Sequence, residues 1–225
     1  MSSTLEKAKK IRAKLSKYFP RLVVFLKGMS LLYAKRSYLK QSGYLKSVIT
    51  HKPCRQDGSP IPWMNYSIIS LLEQRLSKDL SLFEYGSGNS TLFFANHVGS
   101  VVSVECKRKW YEYVVKTIPK NVKLILCDPF DSERYSRIIQ QQDKKFDIVV
   151  VDAEDRVNCL INAQPSLSEK GVLILDDSQG EGLDTVFDHL QKQGFKKLDF
   201  EGLKPGRVSS YRTTIFYKNE NCLGI

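Results

Sequence analysis

The sequence predicts an α/β fold in which a mostly parallel sheet is covered by helices on both faces and closed at one edge by an antiparallel hairpin. Three observations carry this reading. From residue 81 onward, short apolar runs alternate with helix-like segments. The runs are near-continuous in apolar and β-branched residues, as in strands buried on both faces. The last two runs are separated only by the loop LKPGRVSSY, with no helix between them, which suggests a hairpin rather than a crossover.

The elements follow in order. Residues 4–18 read as a helix, with Leu5, Ala8, Ile11, Leu15 and Tyr18 on one stripe and lysines around it. Pro20 breaks that helix, and 21–35 read as a second, with Leu22, Phe25, Leu26, Met29, Leu32 and Tyr33 on one face. HKPCRQDGSPIP (51–62) is a loop by composition, and Trp63–Leu76 a helix. Strands are expected at 81–86, 100–105, 122–128, 146–152, 171–177, 195–202 and 212–218, seven in all. Between them, helices are expected at 91–97, 107–118, 132–142, 155–168 and 181–193.

Charge divides the 225-residue chain in two. Residues 1–50 hold 12 basic residues and one acid, Glu6, so the net charge of +11 sits there and the remainder is neutral. A basic helical extension over 1–50 on a globular domain over 51–225 follows; a uniformly basic nucleic-acid domain is disfavoured. Hydrophobic residues at 42% and charged residues at 26% exclude wholesale disorder. Five scattered cysteines without C-x-x-C spacing read as free thiols of a reduced, cytoplasmic protein. The apolar run Leu22–Leu26 is too short to span a bilayer.

The chemistry concentrates at Phe83-Glu84-Tyr85-Gly86-Ser87-Gly88-Asn89-Ser90-Thr91. Gly86 and Gly88 end a strand and open a helix, where a missing Cβ lets a ligand approach and free N–H groups face it. Thr91 stands where a dinucleotide fingerprint has its third glycine, which weakens a dinucleotide reading. Ser90 or Thr91 would then cap the helix or contact a smaller polar ligand. Glu105, ending the next strand, lies at the separation where a carboxylate meets ribose hydroxyls.

With these pieces the sequence resembles the class I S-adenosylmethionine-dependent methyltransferases. The resemblance runs over roughly 60–218, through EYGSGNST (84–91), VVSVE (101–105), ILCD (125–128), FDIVVVDAEDR (146–156), GVLILDDS (171–178) and the terminal strand pair. The stretch 194–218 is similar to uncharacterised bacterial members. The resemblance implies a seven-stranded Rossmann-like sheet. It also implies that Glu84 lies near the methionine end of the cofactor, with Gly86 and Gly88 packed against it, Glu105 on the ribose and Asp128 near the adenine.

Asp152 ends the fourth strand, where the family places catalytic or substrate residues. The Asn/Asp-Pro-Pro-Tyr/Phe motif of base-amine methyltransferases is absent. Asp152 with Asp176 and Asp177 resembles the metal triad of catechol-type O-methyltransferases, which suits Mg2+. Those enzymes carry a lysine three residues after the first Asp, where this chain has Asp155. The alternative is that Asp152 and Asp177 orient the cofactor amino group and cap the following helices. Alternation along a strand would point Asp176 and Asp177 to opposite faces.

Candidate general bases are Asp152, Asp155 and His51, the last in a loop that would fold over the site. Trp63 and Tyr66 are candidates for the acceptor pocket, and Arg156 for an anionic acceptor or for pairing with Glu154 or Asp155. The expected function is methyl transfer from S-adenosylmethionine to a small molecule or glycan precursor, at oxygen. A nucleotide-dependent dehydrogenase is one competitor. The other is a catalytically silent cofactor-fold module whose basic arm binds membrane or RNA. Residues 1–50 are expected to meet an anionic membrane surface at the inner face rather than a specific nucleic acid.

Overall fold

The computed structural model describes residues 2–128 and 130–225, and the side chains of 2–5 and 8 are not among the described parts. Leu5 and Ala8 of the first predicted stripe, and Pro129 beside Asp128, therefore lie outside the described parts. Seven strands form one sheet: β1 (Ser81–Tyr85), β2 (Ser100–Glu105), β3 (Val122–Leu126), β4 (Phe146–Val151), β5 (Leu167–Asp176), β6 (Lys196–Leu203) and β7 (Ser210–Tyr217). Their spatial order is β3-β2-β1-β4-β5-β7-β6. The first five strands are parallel, and β7 pairs antiparallel with both β5 and β6, as the helix-free connection predicts.

Period-two alternation sends each strand's side chains to two separate cores. Phe83, Tyr85, Val149, Val151, Leu173, Leu175 and Phe216 face one side. There they meet α8 (Ser132–Arg137) with its following 3-10 turn, α9 (Arg156–Ala163) and α10 (Asp184–Lys192). Leu82, Val101, Ile148, Val150, Val172, Ile174 and Ile215 face the other side, against α5 (Tyr66–Arg75) and α6 (Asn89–His97). A short helix α7 (Arg108–Val114) follows β2. Each large apolar side chain buried this way contributes roughly 1.5–3 kcal/mol.

β5 starts four residues before the sequence reading placed it. Its first turn of strand, Leu167–Lys170, is only half-buried and polar, so the apolar run that marks a strand begins later. Asp147 holds it in place, accepting from Ser168 Oγ at 2.7 Å and from Ser81 N at 2.9 Å.

In front of the sheet lie α1 (Ser2–Tyr18), α2 (Pro20–Tyr33), α3 (Tyr38–Gln41) and α4 (Tyr44–Thr50). The last of these packs into the domain. Tyr44 joins the second core, and Ser47 Oγ donates to Gly43 O and Cys54 O at 3.0 and 3.1 Å. Gly43 has φ +85, and a Cβ there would fall 2.2 Å from Cys54 O. Only a glycine lets α4 start this close to the loop. By contrast α2 has no buried residue, and it is apolar around its circumference rather than along one face. Among the described residues, no helix is long and apolar enough to cross a membrane.

Candidate functional site

The strand order reverses between β1 and β4, because β2 and β3 lie on one side of β1 and β4 to β6 on the other. Crossovers leaving in opposite directions open a crevice at the carboxyl ends of the strands. A cleft of about 380 Å³ lies there, within the size range of small-molecule sites. Its walls come from the turns after β1 (Gly86, Ser87, Ser90), β2 (Glu105, Cys106, Lys107, Trp110) and β4 (Asp152, Ala153, Glu154, Arg156), with Glu84 and Tyr135.

Gly86 makes the crevice possible. It has φ +104, and a Cβ would lie 2.7 Å from Asp152 O, so the backbones after β1 and β4 touch where a side chain would part them. Asp152 N donates to Tyr85 O at 3.1 Å across the same junction. Beside it Glu84 is 1% exposed. Its Oε2 accepts from Thr91 Oγ1 at 2.5 Å and Ser103 Oγ at 3.1 Å. Burial pushes the Glu84 carboxyl up to about 7, against the pull of the Ser90, Thr91 and Ser103 hydroxyls. Thr91 Oγ1 also accepts from Gly88 N at 3.0 Å. The residue at the third fingerprint position thus serves the turn and Glu84 rather than a ligand.

Glu105 is held from both ends. Its Oε1 accepts from the backbone N–H groups of Cys106 and Lys107 at 2.9 and 2.8 Å, and its Oε2 from Ser87 Oγ at 2.7 Å. Trp110 Nε1 donates to Ser87 O at 2.8 Å, and its ring lies over Gly88 and stacks on Tyr113. A half-exposed aromatic face is thereby fixed beside Glu105.

Beyond the end of β4, Asp152, Asp176 and Asp177 converge, with carboxylate oxygens within 4.8 Å of one another. Asp176 and Asp177 do not point apart as strand alternation predicts. β5 ends at Asp176, and Asp177 turns back with φ 54. The centre is taken by Lys204, 5% exposed, whose Nζ donates to Asp176 Oδ2 and Asp177 Oδ1 at 2.6 Å each. Burial alone would lower the lysine pKa, but the two carboxylates raise it above its ordinary value. Arg156 bridges from the other side, 3.2 Å from Asp152 Oδ1 and 3.7 Å from Asp177 Oδ2. Asp152 opens onto the cleft, yet protein encloses most of its surroundings, and that enclosure raises its pKa against the pull of Arg156 and Lys204. Mg2+ sits about 2.0–2.1 Å from its oxygen ligands, so an ion on Asp176 and Asp177 would share the volume of the Lys204 ammonium. The residues present do not fit the metal.

Of the cofactor residues expected from sequence, Glu84, Gly86, Ser90 and Glu105 line the cleft; Gly88 backs it beneath Trp110. Asp128 does not line it; it accepts from Arg108 Nε at 2.6 Å. His51 is exposed at the end of α4 and is not among the lining residues; the loop after it is tied to the start of α6 by Asn89 Nδ2 donating to Pro53 O at 2.7 Å. Asp155, not Asp152 or Asp177, caps α9, accepting from Asn158 N at 3.1 Å. Trp63 donates to Pro205 O at 2.9 Å and Tyr66 is buried in the second core, so neither faces the cleft. Arg156 pairs with Asp152 and Asp177 rather than with its neighbours. Sequence reasoning missed Trp110 and Lys204. Trp110 was legible as the aromatic in the first helical turn after Glu105. Lys204 lies in a loop without periodicity, and only the tertiary fold brings it to the acids.

No family model matches the sequence, and no curated protein matches it. Solved structures do match. A methyltransferase from Pyrococcus furiosus aligns with TM-score 0.52 at 15% identity, over 79% of this chain and 94% of that one. An rRNA methylase from Streptococcus thermophilus gives 0.51 at 12% identity, over 66% and 92%. An S-adenosylmethionine-dependent O-methyltransferase from Thermotoga maritima gives 0.50 at 16% identity, over 68% and 63%. At these identities the likeness is one of architecture, and the chain has the fold of the class I S-adenosylmethionine-dependent methyltransferases.

Proposed function

We propose that the protein transfers a methyl group from S-adenosylmethionine to a hydroxyl of a small molecule or glycan precursor. The observation that carries this reading is the charge of the cleft. Glu84, Glu105, Asp152 and Glu154 line it against Lys107 and Arg156, around a turn that a glycine leaves open. Such a wall favours a cationic ligand and opposes the pyrophosphate of a dinucleotide. Bound S-adenosylmethionine supplies an activated methyl on a sulfonium. Glu105 offers Oε2 to the ribose hydroxyls, in exchange for Ser87. Trp110 offers its face to the adenine, the role that Asp128 does not fill. Glu84 compensates positive charge at the methionine end. Asp152, whose enclosure by protein raises its pKa above the ordinary carboxylate value, takes the proton from the acceptor hydroxyl, and Arg156 holds its carboxylate in place.

We further propose that α1 and α2 hold the enzyme on an anionic membrane surface. Leu22, Val24, Phe25, Leu26, Met29 and Leu31 are all exposed on α2, which carries Arg21 and Lys27 and follows the lysine-rich α1. A 14-residue helix is about 21 Å long, too short for the ~30 Å hydrocarbon core but suited to lying in the interface. Each basic residue near the lipid charge contributes about 1 kcal/mol.

A pair of variants separates binding from chemistry. Glu105→Ala is expected to weaken S-adenosylmethionine binding by about 1–3 kcal/mol while leaving the fold intact. Asp152→Asn is expected to bind the cofactor as before and to lose transfer of labelled methyl into the small-molecule fraction of a cell extract. An unchanged dissociation constant in the first, or full transfer in the second, rejects the assigned role.

Glu84 makes binding pH-dependent. Its folded pKa is raised, so the unliganded fold favours the neutral acid, and the stability this group contributes fades as pH rises from about 4.5 through about 7. A sulfonium favours the carboxylate instead. Calorimetry should show affinity for S-adenosylmethionine rising through that range more steeply than for the demethylated product, which keeps the amino-acid charges but lacks the sulfonium. Glu84→Gln should flatten the profile and raise the thermal midpoint of the unliganded protein above neutral pH. A flat profile in the wild type contradicts the placement of Glu84 at the sulfonium end.

Membrane docking is read by cosedimentation of the full chain with vesicles of anionic or neutral lipid. Pelleting with anionic vesicles, reversed by salt, is expected. Protein left in the supernatant at low salt, or a stable dimer that covers α2, overturns it.

A further inference from the structure

The carboxylates of Asp152, Asp176 and Asp177 stand where three strand-end acids would gather a divalent ion, yet the protein brings its own cation to them. The contacts are those of a closed site. Asp176 gives Oδ2 to Lys204 Nζ and Oδ1 to Thr213 Oγ1, at 2.6 and 2.8 Å. Asp177 gives Oδ1 to Lys204 and Oδ2 to Arg156. Arg156 is fixed in turn by its Nε on Asp176 O and Nη1 on Ala153 O, at 3.0 and 2.8 Å. Asn65, which caps α5 through Ile68 N, reaches Thr213 Oγ1 at 3.3 Å and closes the far side.

Lys204 is delivered by the loop between β6 and β7. Its Nζ lies 4.9 Å from the centre of the Tyr211 ring, and the next residue, Pro205, accepts from Trp63 Nε1 at 2.9 Å. The loop is thus anchored beside the lysine, whose side chain is buried with its head against the two acids. Three carboxylates this close repel one another, and two embedded cations leave the group with one net negative charge.

We propose that Lys204 is a resident cation that replaces a divalent metal, making this site metal-independent. The ammonium is shared by Asp176 and Asp177, and Arg156, which also pairs with Asp177, holds Asp152 at the cleft. Lys204 is a positioning residue in this scheme: it touches no ligand and acts through the acids and Arg156. Removing its charge while leaving space would uncover a group of three oxygen donors of net charge near −2, the composition that hard divalent cations seek.

The test uses the full chain and Mn2+ as probe, read by thermal midpoint and by direct titration; it is independent of whether the cleft takes S-adenosylmethionine. Wild type should show no saturable Mn2+ binding at millimolar concentration and no shift on chelation. Lys204→Ser should be less stable, should bind Mn2+ at least about tenfold more tightly than wild type, and should recover part of its midpoint with the metal. Lys204→Arg should keep the insensitivity of the wild type, since it keeps the charge. Saturable Mn2+ binding by the wild type overturns the proposal whether or not any variant folds. So does a Lys204→Ser protein whose midpoint and affinity ignore the metal, and a lysine that only filled space would give that result.

Discussion

The contact on which this molecule turns is a backbone approach that admits no side chain: Asp152 O against Gly86, 2.7 Å from where a Cβ would stand. It joins the ends of β1 and β4, the two strands between which the chain order reverses. With a Cβ at residue 86 the strand ends would separate, and Glu84, Glu105 and Asp152 would no longer look into one space. The hydroxyls of Thr91 and Ser103 then secure Glu84 beneath the turn, and two backbone amides secure Glu105 beside it. A buried acid is costly without partners, and here each acid is given its partners before any ligand arrives.

The same economy of charge runs through the cluster of Asp152, Asp176 and Asp177. Asp176 is 1% exposed among two other carboxylates, an arrangement that stands only because Lys204 and Arg156 are built in with it. The likeness of three strand-end acids to a metal triad is therefore a likeness of donors alone. The cation beside these donors is a lysine 27 residues beyond Asp177, carried in by a hairpin loop whose sequence has no periodicity.

Much of the architecture was legible because it is written in local patterns. Strands buried on both faces leave unbroken apolar runs, as in FDIVVVD, and a strand-to-strand connection without a helix leaves only a loop. Glu84, Gly86 and Glu105 were legible for a related reason: each sits at a strand end, where position along the strand fixes position in the fold. Asp128, after β3, pairs with Arg108 and is not among the residues lining the cleft. The early start of β5 was hidden by its polar first residues, and the packing of α4 by a single glycine contact. His51 stood in a loop whose path is set by Asn89 on Pro53, a pairing no spacing rule foretells. Lys204 and the turned-back Asp177 belong to the same class of long-range facts.

The central claim is that a negatively lined, glycine-floored cleft takes a sulfonium nucleoside and refuses a dinucleotide. Calorimetric titration of the full chain with S-adenosylmethionine, its demethylated product and NAD decides it most directly. The account predicts micromolar binding of the first two and no heat from the third. Tight binding of NAD with none of the sulfonium would contradict it.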